Sequence, residues 1–177
     1  IVMYTIMAVF IAGLMVGRTP EFLGKKIEAR EMKLIAIVIL LHPLIILGPS
    51  AIALATEMGT SAISNTGFHG ISQVVYEFTS SAANNGSGFE GLGDNTPFWN
   101  ISTGLVMLFG RYLSMIAMIA VAGSLLTKKR VPETIGTLKT DNSTFLIILL
   151  ATVLIIGALT FFPVLALGPI AEWLTIR

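Results

Sequence analysis

The chain has 177 residues, of which 54% are apolar and only 12% charged, and its mean hydropathy is +0.85. Because a soluble domain carries about a quarter charged residues, the composition excludes an ordinary soluble fold. The net charge of +1 argues against a broad nucleic-acid-binding face. The absence of cysteine excludes disulfides and thiolate metal sites. Long apolar blocks therefore predict an all-α membrane protein that crosses the bilayer several times.

The first apolar block covers residues 1–17 and has no initiator methionine, basic leading region or cleavage site. We expect it to be the end of a transmembrane helix from a preceding repeat of a longer protein. A linker at 18–32 follows, in which Thr19 suits a helix N-cap and Pro20 the first helical position. This pattern predicts a short amphipathic helix on the membrane surface.

Residues 33–126 contain two apolar blocks with a polar segment at 57–96 between them. Inside the polar segment, residues 70–81 are half apolar and too short to span, and the stretch 82–88 after them is rich in glycine. Two spanning helices around a half-length helix and an extended loop are the plan of a pore-loop ion pathway. The order predicts a pore-loop ion pathway. The alternative is an exterior loop that is merely rich in turn residues.

The predicted filter at 82–88 suits a monovalent cation by its chemistry. Gly86 and Gly88 permit backbone dihedral angles that aim successive carbonyls inward. Asn84, Asn85 and Ser87 either hold the loop by hydrogen bonds or offer neutral oxygens. Neutral oxygens of this kind replace the hydration shell of potassium. A helix that ends here would also direct the negative end of its dipole at the ion.

The placement of lysine and arginine predicts the orientation of the chain. Basic residues flank the linker at 18–32 and the loop at 127–143, whereas the segment at 57–96 contains neither lysine nor arginine. The first two regions are therefore expected in the cytoplasm and the third outside. Residues 144–177 are predicted to be a C-terminal transmembrane helix. Trp99 and Trp173 are both expected in an aromatic belt at the outer interface.

Two charged residues have two possible roles each. Arg111 lies midway along an apolar block, where a charge costs about 3 kcal/mol on insertion scales. It is expected either to shape the ion route below the filter or to pair with a carboxylate outside this chain. Glu77 near the end of the predicted pore helix either attracts cations or caps the loop.

Several segments, taken in chain order, resemble the potassium-binding subunit of Kdp-type potassium-transporting ATPases, the KdpA family. The segments are GRTPEFLGKKIEAREMKL, SSAANNGSGF, NTPFWN, AGSLLTKK and GALTFFPVLALGPIAEWL. That family is similar to potassium channels and to Trk/Ktr/HKT transporters, with four helix–pore-loop–helix repeats around one filter. The resemblance implies that this chain is the C-terminal part of a longer protein and that residues 33–126 are its fourth repeat. It implies a potassium-binding filter segment at Asn84, Asn85, Gly86 and Ser87.

The resemblance also implies a function for the chain. It would bind and translocate potassium in an ATP-driven uptake complex of a bacterial or archaeal cell (inner) membrane. Potassium is the transported ligand, no organic cofactor is expected, and membrane lipid surrounds the chain. The sequence has no Walker A motif and no aspartyl-phosphate signature. ATP hydrolysis is therefore expected from a partner P-type ATPase subunit, accompanied by small accessory subunits.

Two other functions stay open from the sequence. The first is a channel-like or ion-gradient-driven potassium transporter of the Trk/Ktr/HKT type, which needs no ATPase partner. The second is a structural membrane subunit that has no ion site of its own.

Overall fold

A computed structural model describes residues 1–132 and 137–176. The helices and strands in these ranges follow one another along the chain as α1 Val2–Val16, β1 Glu21–Phe22, β2 Lys25–Lys26, α2 Ala29–Ala55, α3 Glu57–Thr60, α4 Phe68–Ala83, α5 Pro97–Thr127 and α6 Ser143–Thr175. The predicted cytoplasmic loop at 127–143 includes residues 133–136, which lie outside the described residues.

The described helices include three that are long and apolar enough to cross a membrane. These are Ala29–Ala55, Pro97–Thr127 and the part of α6 at Ser143–Thr160, while Val2–Val16 is a shorter apolar helix. About 20 apolar residues suffice to cross the hydrocarbon core. The prediction of an all-α polytopic membrane protein is confirmed.

The linker after α1 folds as a β-hairpin, so the amphipathic helix predicted for 18–32 is wrong. Strands β1 and β2 pair antiparallel, and the two turn residues Leu23 and Gly24 have positive φ angles of 53° and 69°. Two successive positive φ angles are typical of a type I′ turn, whose twist matches that of the paired strands. The amide of Val131 also donates to the Gly24 carbonyl at 2.8 Å, a distant contact that stabilises the hairpin.

The chain divides into two compact units. The first comprises Ile1–Val38 and Ile116–Leu159, and the second comprises Ile39–Met115 and Thr160–Arg177. Helix α4 and the glycine-rich segment after it belong to the second unit. That unit has a buried apolar core formed by Ile46, Ala53, Val74, Val75, Phe78, Ala82, Leu92, Trp99 and Val106.

Trp99 lies in this core and not in an exposed aromatic belt. Its side chain is completely buried and stacks on Phe78 of α4, with ring centroids 5.2 Å apart. Phe98 packs edge-on against the same indole at 5.6 Å. The expectation of an interfacial tryptophan is wrong for Trp99, because the short helix α4 lies against the start of α5 and covers it. Burial of these rings stabilises the contact between α4 and α5.

In the first unit, a fully buried carboxylate in the first turn of α2 joins that helix to the end of α5. Glu31 is completely buried and lies 2.7 Å from the Lys128 ammonium, and it accepts a hydrogen bond from Ser124 at 2.5 Å. Lys128 also pairs with Glu28 at 3.0 Å. Burial lowers the pKa of Lys128, but its hydrogen bonds to Glu31 and Glu28 outweigh that effect and raise the pKa above its ordinary value. Lys128 therefore stays charged and compensates the buried carboxylate.

Substituting Lys128→Met is expected to destabilise the first unit by about 3 kcal/mol, because it leaves a buried carboxylate without its cation. The measurement is the thermal midpoint of the full-length protein in detergent. Lys129→Met is the matched control, since the neighbouring Lys129 is exposed. Equal midpoints for the two variants would contradict a stabilising role for the pair.

Candidate functional site

Helix α4 ends where the polar segment begins. It covers Phe68–Ala83, so it extends two residues beyond each end of the predicted pore helix at 70–81. The filter predicted at 82–88 therefore begins inside the helix, and the extended part starts at Asn84. Asn84 caps the helix in the left-handed conformation, with φ 55° and ψ 35°. Its side-chain amide donates to the Met107 carbonyl of α5 at 3.1 Å, which ties the end of α4 to α5.

The polar side chains after α4 are engaged in hydrogen bonds with one another and with the helix. The Asn85 side-chain oxygen accepts from the Ser80 hydroxyl at 2.7 Å and from the Ser87 amide at 3.0 Å. The Ser80 hydroxyl also accepts from the Gly88 amide at 2.9 Å. The Ser87 hydroxyl lies 3.2 Å from the Tyr76 hydroxyl. These side chains therefore hold the loop and are not free to be the main ligands of an ion.

The backbone of the same segment leaves its carbonyl oxygens available. The peptides are trans, so each C=O points away from the N–H of its own peptide unit. The Ser87 amide donates to the Asn85 side chain, and the Gly88 amide donates to Ser80 of α4. The carbonyls of Gly86 and Ser87 belong to the same two peptide units and therefore point away from those acceptors. Within the described ranges, no hydrogen-bond donor reaches a carbonyl oxygen of residues 84–88. Such free carbonyls are the groups that replace the hydration shell of a cation.

Gly86 has the conformation that glycine adopts most easily. Its φ is +74°, and residues 85–87 are exposed on this chain. A Cβ at Gly86 would have no heavy atom within 4 Å, so the requirement for glycine comes from backbone conformation and not from crowding. The helix dipole of α4 places its negative end beside this turn. The turn is thus suited to a cation.

Arg111 lies on the exposed surface of α5. No ion pair or hydrogen bond links its side chain to the rest of the described chain. The preceding residue, Gly110, packs closely on the end of α4, since a Cβ there would lie 2.5 Å from the Ala82 carbonyl oxygen. The four predicted filter residues, 84–87, therefore lie together directly after α4. Arg111 follows Gly110, the residue of α5 that contacts the end of α4.

Two residues of α4 contribute to the site beyond those predicted as ion ligands. Glu77 is buried, with 6% of its surface exposed, and accepts a hydrogen bond from the Phe89 amide at 2.8 Å. Tyr76 contacts Ser87 and packs edge-on against Phe89, with ring centroids 5.6 Å apart. The sequence pattern did not point to Tyr76. The available signal is its spacing of four residues from Ser80, which places both on one face of a helix.

Comparison with known proteins identifies the family. The family model described as "Potassium-transporting ATPase A subunit" (KdpA) matches residues 1–174. The "Potassium-transporting ATPase potassium-binding subunit" of Geobacillus kaustophilus (strain HTA426) is 77% identical over 177 residues. The match covers all of this chain and 32% of the relative, so the chain spans about a third of the length of that protein. The chain belongs to the family of potassium-transporting ATPase A subunits, KdpA.

Proposed function

We propose that this chain supplies one segment of the selectivity filter in a potassium-binding subunit that works in an ATP-driven uptake complex. The observation that carries the proposal is that, within the described ranges, the carbonyl oxygens of residues 84–88 accept no hydrogen bond, while the side chains of Asn85 and Ser80 accept hydrogen bonds from the amides of the same loop. Potassium is the transported ligand, and the neutral oxygens substitute for its hydration shell. No organic cofactor takes part in this function.

One segment provides only part of the ion's coordination. Because the chain covers 32% of its relative, the remaining oxygens would come from the rest of the full-length protein. The architecture that we propose is a helix–pore-loop–helix repeat formed by α2, α4 and α5, with residues 84–88 as its filter loop. Symmetric use of several such loops around one axis gives each ion a complete shell.

The name of the relative, the potassium-binding subunit of a potassium-transporting ATPase, supports a division of roles between subunits. We propose that a partner P-type ATPase subunit hydrolyses ATP, that this subunit is itself non-catalytic, and that small accessory subunits complete the complex. The location would be the cell (inner) membrane of a bacterium or archaeon. Residues 57–96 would be outside, and 18–32 and 127–143 would be in the cytoplasm.

Uptake of a rubidium tracer tests this proposal. The full-length subunit is reconstituted in proteoliposomes with its ATPase partner, without it, and with the partner but without ATP. Uptake only in the presence of both partner and ATP supports the ATP-driven function over a gradient-driven transporter. Uptake by the subunit alone, driven by an ion gradient, would overturn it. The absence of any potassium binding by the intact complex would favour a structural subunit.

Arg111 is proposed to control the ion route electrostatically. Its exposed position on this chain leaves the guanidinium available to a water-filled cavity or to the rest of the full-length protein, and a charge at membrane depth faces such surroundings. Arg111→Ala is expected to change transport, or its coupling to ATP, while the complex still assembles. Size-exclusion analysis and transport assays of the same preparation separate the two properties. Loss of assembly alone would indicate a structural ion pair instead.

A further inference from the structure

Glu77 is a buried carboxylate with an unusual partner. Glutamate is rarely buried unless it is paired, yet none of the ion pairs among the described residues includes Glu77. Its Oε2 instead accepts a hydrogen bond from the backbone amide of Phe89 at 2.8 Å. The same oxygen lies 3.4 Å from the position of a Cβ on Gly88. The carboxylate is therefore directed at the backbone where the loop leaves residues 84–88.

Glu77 and Ser80 lie three residues apart on α4 and bind successive amides of the loop. Ser80 accepts from Gly88 at 2.9 Å and Glu77 accepts from Phe89 at 2.8 Å. The peptide plane that contains the Phe89 amide also contains the Gly88 carbonyl, and in a trans peptide the two point in opposite directions. A bond from Phe89 to Glu77 therefore aims the Gly88 carbonyl away from α4.

We infer that Glu77 is a positioning residue that sets the direction of the Gly88 carbonyl, the last oxygen of the filter segment. The inference rests on the proposed function, because it assigns a role to Glu77 within that filter. Glu77 acts through geometry and not by attracting cations with its charge. A carboxylate suits this task because charge-assisted hydrogen bonds are shorter and stronger than neutral ones, which limits rotation of the peptide plane.

Two conservative variants separate geometry from charge. Glu77→Gln keeps the length of the side chain and an oxygen acceptor but removes the charge. Glu77→Asp keeps the charge but shortens the side chain by one C–C bond, about 1.5 Å, which takes the carboxylate out of hydrogen-bond range of Phe89. Positioning by geometry predicts that Glu77→Gln keeps the potassium affinity close to that of the wild type and that Glu77→Asp lowers it. Attraction by charge predicts the reverse order.

The experiment uses the full-length subunit assembled with its ATPase partner. The potassium concentration for half-maximal ATPase stimulation, the maximal rate and the discrimination against sodium are measured for the wild type and both variants. For Glu77→Asp, the half-maximal concentration is expected to rise about tenfold, which corresponds to loss of one charge-assisted hydrogen bond, with reduced discrimination against sodium. Glu77→Gln is expected to stay within about threefold of the wild type, since a neutral hydrogen bond is retained. The maximal rate should change little in both.

Glu90→Gln is the matched control, because Glu90 is an exposed carboxylate of the same loop. It is expected to behave as the wild type. A tenfold rise in the half-maximal potassium concentration of Glu77→Gln, in a complex that assembles normally, would overturn the positioning role. This holds even if Glu77→Asp fails to assemble. Wild-type behaviour of Glu77→Asp would overturn it as well. After either of these two results, a wild-type complex that potassium stimulates would leave the proposed function intact. A wild-type complex that potassium does not stimulate would overturn both the proposed function and this inference.

Discussion

Replacing Gly86 with alanine is expected to raise the potassium concentration for half-maximal ATPase stimulation about tenfold and to reduce discrimination against sodium. Gly86 has a φ of +74°, a conformation that costs other residues about 1 to 2 kcal/mol. Because a Cβ at this position has no heavy atom within 4 Å, no collision prevents folding. The strain is instead relieved by turning the adjacent peptide planes, which moves carbonyls away from the ion. Gly86→Asp adds a charge to a site of neutral oxygens and is expected to lower selectivity further.

Gly67 provides a control for a glycine with positive φ outside residues 84–88. It precedes α4, has a φ of +73°, and its Cβ position is also free of atoms within 4 Å. Gly67→Ala should therefore lower thermal stability without altering potassium affinity or selectivity. If Gly86→Ala leaves both properties unchanged in an assembled complex, residues 84–88 form an ordinary loop.

Gly110→Ala is expected to separate the end of α4 from α5. A Cβ at Gly110 would lie 2.5 Å from the carbonyl oxygen of Ala82, so the backbone of one helix must move. Overpacking of this kind costs about 1 to 3 kcal/mol. The movement would also break the hydrogen bond from Asn84 to the Met107 carbonyl. We expect a lower thermal midpoint together with an increase in the half-maximal potassium concentration.

Gly104 of the same helix is the control for this substitution. Its Cβ position has no heavy atom within 4 Å, and alanine favours a helix by about 1 kcal/mol over glycine. Gly104→Ala is therefore expected to preserve stability and potassium affinity. Similar behaviour of the two variants would show that the close approach of Gly110 to Ala82 does not position the filter segment.

The helices of this chain are the part of the fold that local patterns predict well. Long apolar blocks must form helices in a bilayer because each backbone group needs an internal partner. The half-length helix was predicted at 70–81 because a short, half-apolar stretch stands before a glycine-rich turn. Its observed end at Ala83 differs by two residues, because the helix continues until Asn84 adopts the left-handed conformation and caps it.

Contacts between distant residues explain what the sequence did not predict. Thr19 and Pro20 suit the start of a helix, but the Leu23–Gly24 turn and the hydrogen bond from the Val131 amide stabilise a hairpin. Trp99 was expected at an interface, but Phe78 covers it. The role of Glu77 depended on where the chain returns 12 residues later, which no local pattern encodes. The role of Arg111 stays a prediction.

The most direct test of the proposed filter is to locate the bound ion. Anomalous diffraction from the full-length complex, with rubidium in place of potassium, identifies the atoms that coordinate it. We predict a rubidium ion bound by backbone carbonyl oxygens of residues 84–88, with the side chains of Asn85 and Ser87 still bonded toward α4. Rubidium bound only elsewhere in the protein, or coordinated here by those two side chains instead of the backbone, would contradict the filter that we propose.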